Sequence, residues 1–244
     1  MKVTNHWATP IAEQHIDLTD ECRKALIRVV CKYGANIFSY QSDHPEKQYI
    51  QEFESISHKT ISNYLTEAYN IPSKKQHIQA RSFGNHQRRG GRTYPHYHNH
   101  YDGIMVHYLT AGDEFKVTKD YDVIPLEEKD KIEYEKLKTN EGYYAVQGDT
   151  LYRENSKVHI ANEGETFEEK FPLQGSGKLI VCDPRVGINN LFSSKAISFT
   201  PKTGMTIIHS GSLWHESNTF LGNGFRVIIV VMFTVDPHTI KKYN

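Results

Sequence analysis

Apolar residues recur at helical spacing twice in the first seventy residues and at strand spacing after that. Between Glu21 and Lys32, Leu26, Val29 and Val30 fall on one side of a helix, with Thr19 or Asp20 placed to cap its first turn. A longer helix should start near Pro45 and end near Asn70, before Pro72. Ile50, Phe53, Ser57, Ile61, Tyr64, Leu65 and Ala68 form its face. Both read as scaffold packed on a sheet. Ahead of them, Trp7-Ala8-Thr9-Pro10-Ile11 leads into a short extended segment.

From Gln76 the period shortens. Strands are expected over His77 to Phe83, Arg92 to His98 and Ile104 to Leu109, with Gly84-Asn85 and Gly90-Gly91 as loop punctuation. Further on, Lys178 to Arg185, Ile197 to Phe199, Met205 to His209 and Phe225 to Val235 read as strands, the last holding the apolar run Val227 to Phe233. Many short strands between Gly and Pro turns make the chain mainly β, a sandwich or barrel. Residues 112–177 interrupt this pattern. They are polar and rich in Glu and Lys, with a helical piece expected over 127–138 and short strands at Tyr143 to Val146 and Val158 to Ala161. We read one domain over 1–244: an N-terminal strand and supporting helices over 1–75, a core over 76–111 and 178–244, and an inserted lid or flap over 112–177.

Composition narrows the function classes. Lys+Arg and Asp+Glu both number 29, which argues against a dedicated nucleic-acid binder, although Arg88, Arg89 and Arg92 make a local basic patch. The three cysteines, Cys22, Cys31 and Cys182, match no zinc or redox spacing and read as reduced thiols of a cytoplasmic protein. Neither a signal peptide nor an apolar run long enough to span a bilayer is present, so no membrane partner is expected.

The chemistry concentrates in Tyr94-Pro95-His96-Tyr97-His98-Asn99-His100-Tyr101-Asp102. In an extended strand, His96, His98, His100 and Asp102 would share one face. Imidazoles and a carboxylate converging on one point suit a divalent transition metal. Far down the chain, His215 follows a strand and a Gly-Ser turn, and Arg226 opens the last strand. Two imidazoles from one strand end plus a distant third match mononuclear iron sites with open positions. An interior Arg is costly unless it meets an anion, and its fork suits a carboxylate. Each residue also has a plainer reading. His215 beside Trp214 would be a satisfied core histidine, Arg226 would pair with Glu216 or Asp183, and Tyr108 would be core.

Taken together, these motifs resemble the double-stranded β-helix dioxygenases that use Fe(II) and 2-oxoglutarate. More narrowly, they resemble the uncharacterised, prolyl-hydroxylase-like 2OG-Fe(II) oxygenase family of bacteria and phages. The residues that carry the likeness are Trp7-Ala8-Thr9-Pro10-Ile11, Pro95-His96-Tyr97-His98 with Val106-His107-Tyr108-Leu109, and Asp183-Pro184-Arg185. They continue with Pro201-Lys202-Thr203-Gly204, Ser212-Leu213-Trp214-His215 and Arg226. They cover about half of the chain.

The resemblance implies a jelly-roll core of the cupin kind and a hydroxylase whose Fe(II) is held by His96, His98 and His215. Arg226 and Tyr108 would bind the far carboxylate of the co-substrate 2-oxoglutarate. O₂ would be consumed, succinate and CO₂ released, and a small molecule or protein side chain hydroxylated. No side chain is assigned as acid, base or nucleophile. The chain departs from the superfamily pattern in three places. His98 stands where a carboxylate is usual, while His100-Tyr101-Asp102 offers a true His-x-Asp. Ile228 stands where Ser often follows the Arg. A long insertion follows Leu109. A cupin-like metal protein using His96, His98, Asp102 and His215, with no need for Arg226, is the alternative.

Overall fold

The computed structural model describes residues 1–6, 9–34, 36–41, 44–112, 114–127, 143–147, 150–153, 177–182, 196–220 and 222–236. The strands are β1 (Lys2–His6), β2 (Thr9–His15), β3 (Ile78–Gln87), β4 (Thr93–His96), β5 (Gly103–Thr110), β6 (Phe115–Val117) and β7 (Val123–Pro125). They continue with β8 (Tyr143–Gln147), β9 (Thr150–Arg153), β10 (Leu179–Cys182), β11 (Ala196–Phe199), β12 (Met205–Ser210), β13 (His215–Ser217) and β14 (Arg226–Val235). The helices are α1 (Asp20–Tyr33) and α2 (Lys47–Tyr69).

Two antiparallel sheets carry the architecture. The large one runs β1-β2-β12-β5-β14-β3 and the small one β11-β10-β13-β4. From β3 the chain alternates between them: β3 large, β4 small, β5 large, β10 and β11 small, β12 large, β13 small, β14 large. Eight strands wound this way, four in each sheet, are a double-stranded β-helix, the jelly roll that the sequence resemblance implied.

Side-chain alternation gives the large sheet two buried faces. On β5, Ile104, Val106 and Tyr108 point between the sheets, where they meet Leu179, Val181, Ile207 and Leu213. Met105 and Leu109 point the other way, against Leu26, Val30, Phe53 and Ile61 of the two helices. All eight β5 positions are therefore buried, and each large apolar side chain removed from water contributes roughly 1.5–3 kcal/mol. The helices are closed by local chemistry. The Thr19 hydroxyl accepts a bond from the Cys22 backbone N–H at 3.2 Å, and Asp20 and Glu21 suit the positive end of α1. Asn70, at φ 56°, ends α2 in the left-handed region.

Three expectations change. β3 runs straight through Gly84-Asn85, which read as a loop, and Gly84 pairs with Ile229 inside the sheet. Its glycine serves packing: a Cβ there would lie 2.4 Å from a Val30 methyl on α1. The strand expected to reach His98 stops at His96. A strand β1 precedes the expected extended segment and pairs with it.

In the polar segment, β6 and β7 form a hairpin that places Phe115 in the helix-side core, with Arg23 of α1 bonded to Glu114 at 2.9 Å. This part of the insertion braces α1. The strand expected at Tyr143 to Val146 is β8, paired with β9. The helix expected over 127–138, beyond Glu127, and the strand at 158–161 lie outside the described residues. So do Trp7, Ala8 and Asp183-Pro184-Arg185. Among the described residues, no helix is long and apolar enough to cross a membrane.

Candidate metal centre

The site sits where the small sheet's β4 and β13 face the large sheet. His96 and His215 are cross-strand partners in register, so strand pairing alone sets their rings 4.3 Å apart. His98 is supplied by the turn after β4. Its N–H donates to the Gly211 carbonyl at 2.8 Å, and Tyr101 N–H closes the turn onto the His98 carbonyl at 3.1 Å. Gly211 makes this possible. A Cβ there would fall 2.2 Å from the Tyr101 carbonyl oxygen and 2.8 Å from that of His98. The His98 ring then lies 4.9 Å from that of His96 and 5.3 Å from that of His215. One nitrogen from each of the three imidazoles lies within 4.8 Å of the others.

Backbone carbonyls set the tautomers. His96 Nδ1 lies 2.8 Å from the Tyr94 carbonyl oxygen, and His215 Nδ1 lies 2.9 Å from that of Leu213. A carbonyl only accepts, so both Nδ1 atoms carry the proton and both Nε2 atoms keep a free lone pair. His98 Nε2 is buried with no hydrogen-bond partner. Burial lowers the pKa of His98, helped by His96, and lowers that of His215 to about 3, helped by His209. His98 and His215 are thereby kept neutral at physiological pH, the form a metal needs.

The two remaining members of the polar stretch do not join them. Once the strand ends at His96, the alternation that would have aligned four side chains is lost. His100 is exposed, and the Asp102 carboxylate accepts from the Val235 backbone N–H at 2.7 Å. Asp102 thus fastens the turn to β14 and leaves neither the His-x-Asp pair nor the four-ligand arrangement in place.

Arg226 opens β14 and is 2% exposed. Its guanidinium donates to the Gly177 carbonyl and to Gln87 Oε1, and to Ser217 Oγ at 2.8 Å. Gln87 is its in-register partner on β3, and Gln87 in turn donates to Thr93 Oγ1 at 2.9 Å. No described carboxylate pairs with Arg226. The bridge to Glu216 is absent, and Asp183 lies outside the described residues. Burial lowers the Arg226 pKa and Tyr108 opposes the shift, but a guanidinium stays charged. Tyr108, 2% exposed, lines the same cavity as Arg226, His96, His98 and His215. Burial raises its pKa against the pull of Arg226. Val106, Leu179, Ile228 and Val230 supply apolar wall.

The basic patch is spent on local contacts. The Arg88 guanidinium lies over Phe225 at 4.8 Å and that of Arg92 over Tyr94 at 4.3 Å, and Arg89 donates to Asn223. Pattern reading missed His209, a fully buried fourth imidazole whose ring lies 4.8 Å from that of His215. Its signal was present, since His209 alternates on β12 with the inward Met205 and Ile207.

No family model and no curated protein matches the chain. Solved structures do overlay on it. A prolyl-4-hydroxylase from Pseudomonas putida shares 10% identity at a TM-score of 0.47, over 92% of this chain and 86% of its own. HygX from Streptomyces hygroscopicus, solved with nickel and 2-oxoglutarate, shares 10% identity at 0.47 over 94% and 83%. A prolyl hydroxylase from Trichoplax adhaerens, in complex with a hypoxia inducible factor peptide fragment, shares 10% identity at 0.46 over 96% and 87%. Overlaps of this degree fix no activity, and the functional reading stands on the site itself.

Proposed function

We propose that the chain is an Fe(II)- and 2-oxoglutarate-dependent oxygenase that hydroxylates a small molecule or a protein side chain. One observation carries the reading. Three imidazoles, each with a nitrogen turned toward the other two, share a cavity with a buried guanidinium that has no described carboxylate partner. The imidazoles call for a divalent metal of the Fe, Ni or Zn kind, and the guanidinium calls for an anion. A ligand with a metal-chelating end and a carboxylate at the other satisfies both, and 2-oxoglutarate has that form.

The residues then take definite tasks. His96, His98 and His215 would hold the metal through one nitrogen each. Carbonyls of Tyr94 and Leu213 keep two of the rings turned the right way. Arg226 grips the far carboxylate, with Gln87 and Ser217 fixing its plane, and the Tyr108 hydroxyl donates to the same carboxylate. Ile228 offers no hydrogen bond where related sites often use Ser, so more of the grip falls on Arg226 and Tyr108. The apolar wall keeps water away from the reacting atoms. Bound Fe(II) and 2-oxoglutarate would together supply the chemistry, reducing O₂ with release of succinate and CO₂ and delivering one oxygen to a substrate C–H bond. We read the chain as a single catalytic unit working in a reducing cytoplasm. Cys22, Cys31 and Cys182 are all free, and burial pushes the Cys22 and Cys31 thiols up to about 12 and about 11, away from ligand or redox use.

The test is to load metal-free protein with Fe(II) anaerobically and titrate 2-oxoglutarate, following the weak visible charge-transfer band of keto-acid chelation. Wild type should develop the band, and Arg226→Ala should lose at least about 30-fold in 2-oxoglutarate affinity while keeping its metal. Metal uptake by wild type with no band would overturn the reading in favour of a cupin-like metal protein.

A further inference from the structure

The centre contains a fourth imidazole whose acceptor has nothing to accept. His209 is 0% exposed. Its Nδ1 lies 2.8 Å from the Ser210 carbonyl oxygen, so Nδ1 carries the proton and Nε2 keeps the lone pair. Nε2 is buried without a partner. Leaving such an acceptor unsatisfied costs about 1–3 kcal/mol, which an apolar residue at this position would avoid. The ring faces His215 at 4.8 Å, inclined by 64°. It shares with His96 and His215 the same device, a backbone carbonyl that holds Nδ1–H and presents Nε2. Its nitrogens nonetheless fall outside the group of three that lie within 4.8 Å of one another. His209 therefore stands one layer behind the ligands, and no described protein group donates to its Nε2.

We propose that His209 is a positioning residue of the metal centre, its Nε2 accepting a hydrogen bond from a water that the loaded centre holds beside His215. This rests on the reading that His96, His98 and His215 bind a metal. Both lone pairs and the second hydrogen of the water remain free for the metal side of the centre, so His209 fixes where that water sits without occupying a coordination position. Outer partners of this kind are worth about 10- to 100-fold in metal affinity.

The experiment compares wild type, His209→Phe and His209→Gln by Co(II) titration calorimetry, by Co(II) absorption spectra and by thermal melting of metal-free protein. Phe fills the space and removes the orphaned acceptor, and Gln restores an acceptor oxygen. His209→Phe should melt at or above the wild-type temperature without metal, yet bind Co(II) about 10- to 100-fold more weakly. His209→Gln should recover most of that affinity, and band intensity should be the same in all three proteins because the protein ligands are unchanged. Co(II) affinity in His209→Phe equal to wild type overturns the inference and leaves the metal centre intact. Changed band intensity overturns it in favour of His209 as a direct ligand. If His209→Phe also melts early, His209→Gln decides: recovered affinity supports the acceptor role and unrecovered affinity overturns it. Wild type that takes up no Co(II) overturns the oxygenase reading, and the inference falls with it.

Discussion

His107 and His209 are buried alike, at 1% and 0% exposure, on the neighbouring strands β5 and β12. They point to opposite faces of the large sheet, and their surroundings differ. His107 faces the helices, with Nδ1 2.8 Å from Thr206 Oγ1 and its ring 5.2 Å from that of Phe53. His209 faces the space between the sheets, where its own Nε2 and that of His98 lack partners and where the buried Arg226 meets no described carboxylate. The helix-facing core is an apolar layer in which a polar group is tied to its neighbour. The inter-sheet space keeps polar groups waiting. Since an unsatisfied buried group is destabilising, the side that tolerates several is the side that a ligand completes.

The comparison breaks most visibly through Phe53→Ala. This change should cost about 3–5 kcal/mol of stability, read by denaturant melts, while metal affinity of the folded fraction is unchanged. A parallel loss of metal affinity would mean that the two faces are not independent. Next is Gly211→Ala, which drives a methyl into the carbonyls of His98 and Tyr101. The turn must move, and metal affinity should fall about tenfold or more, with a smaller change in stability. Unchanged affinity would show that His98 is not held by this contact. The smallest effect per residue and per pH unit is titration. Burial lowers His107 to about 3, His209 to about 4 and His215 to about 3, against an ordinary value near 6.5. Above pH 6.5 folded and unfolded chains are equally deprotonated at these groups. Below it the unfolded chain takes up protons that the folded one refuses, so stability is lost as pH falls from about 6.5 toward 4. Each histidine contributes on the order of 1 kcal/mol per pH unit in that window. In metal-free protein, His107→Phe should flatten this acid slope without touching metal uptake, whereas a slope that persists unchanged would place the protons elsewhere.

Much of the candidate site was legible because it rests on local pattern. His96-x-His98 and His215 were marked by spacing and by their place at strand ends, and Arg226 by its position at the head of an apolar strand. The α2 face was read almost residue by residue: Ile50, Phe53, Ser57, Ile61, Tyr64 and Leu65 are all buried. Gly84 and Asp102 show the limit. Gly84 looks like a turn residue until Val30 of a distant helix is seen against it. Asp102 looks like a ligand until the chain bends after His96 and brings its carboxylate to Val235.

The amino-acid sequence by itself determined the periods, and with them two amphipathic helices, a run of short strands and a small set of imidazoles able to bind a metal. Those features depend on residues a few positions apart, so local geometry specifies them. Only the tertiary structure decided which of the imidazoles meet. That choice depends on the pairing of β4 with β13 and on the missing side chain at Gly211. Both are contacts between residues far apart along the chain, for which no local spacing carries a signal.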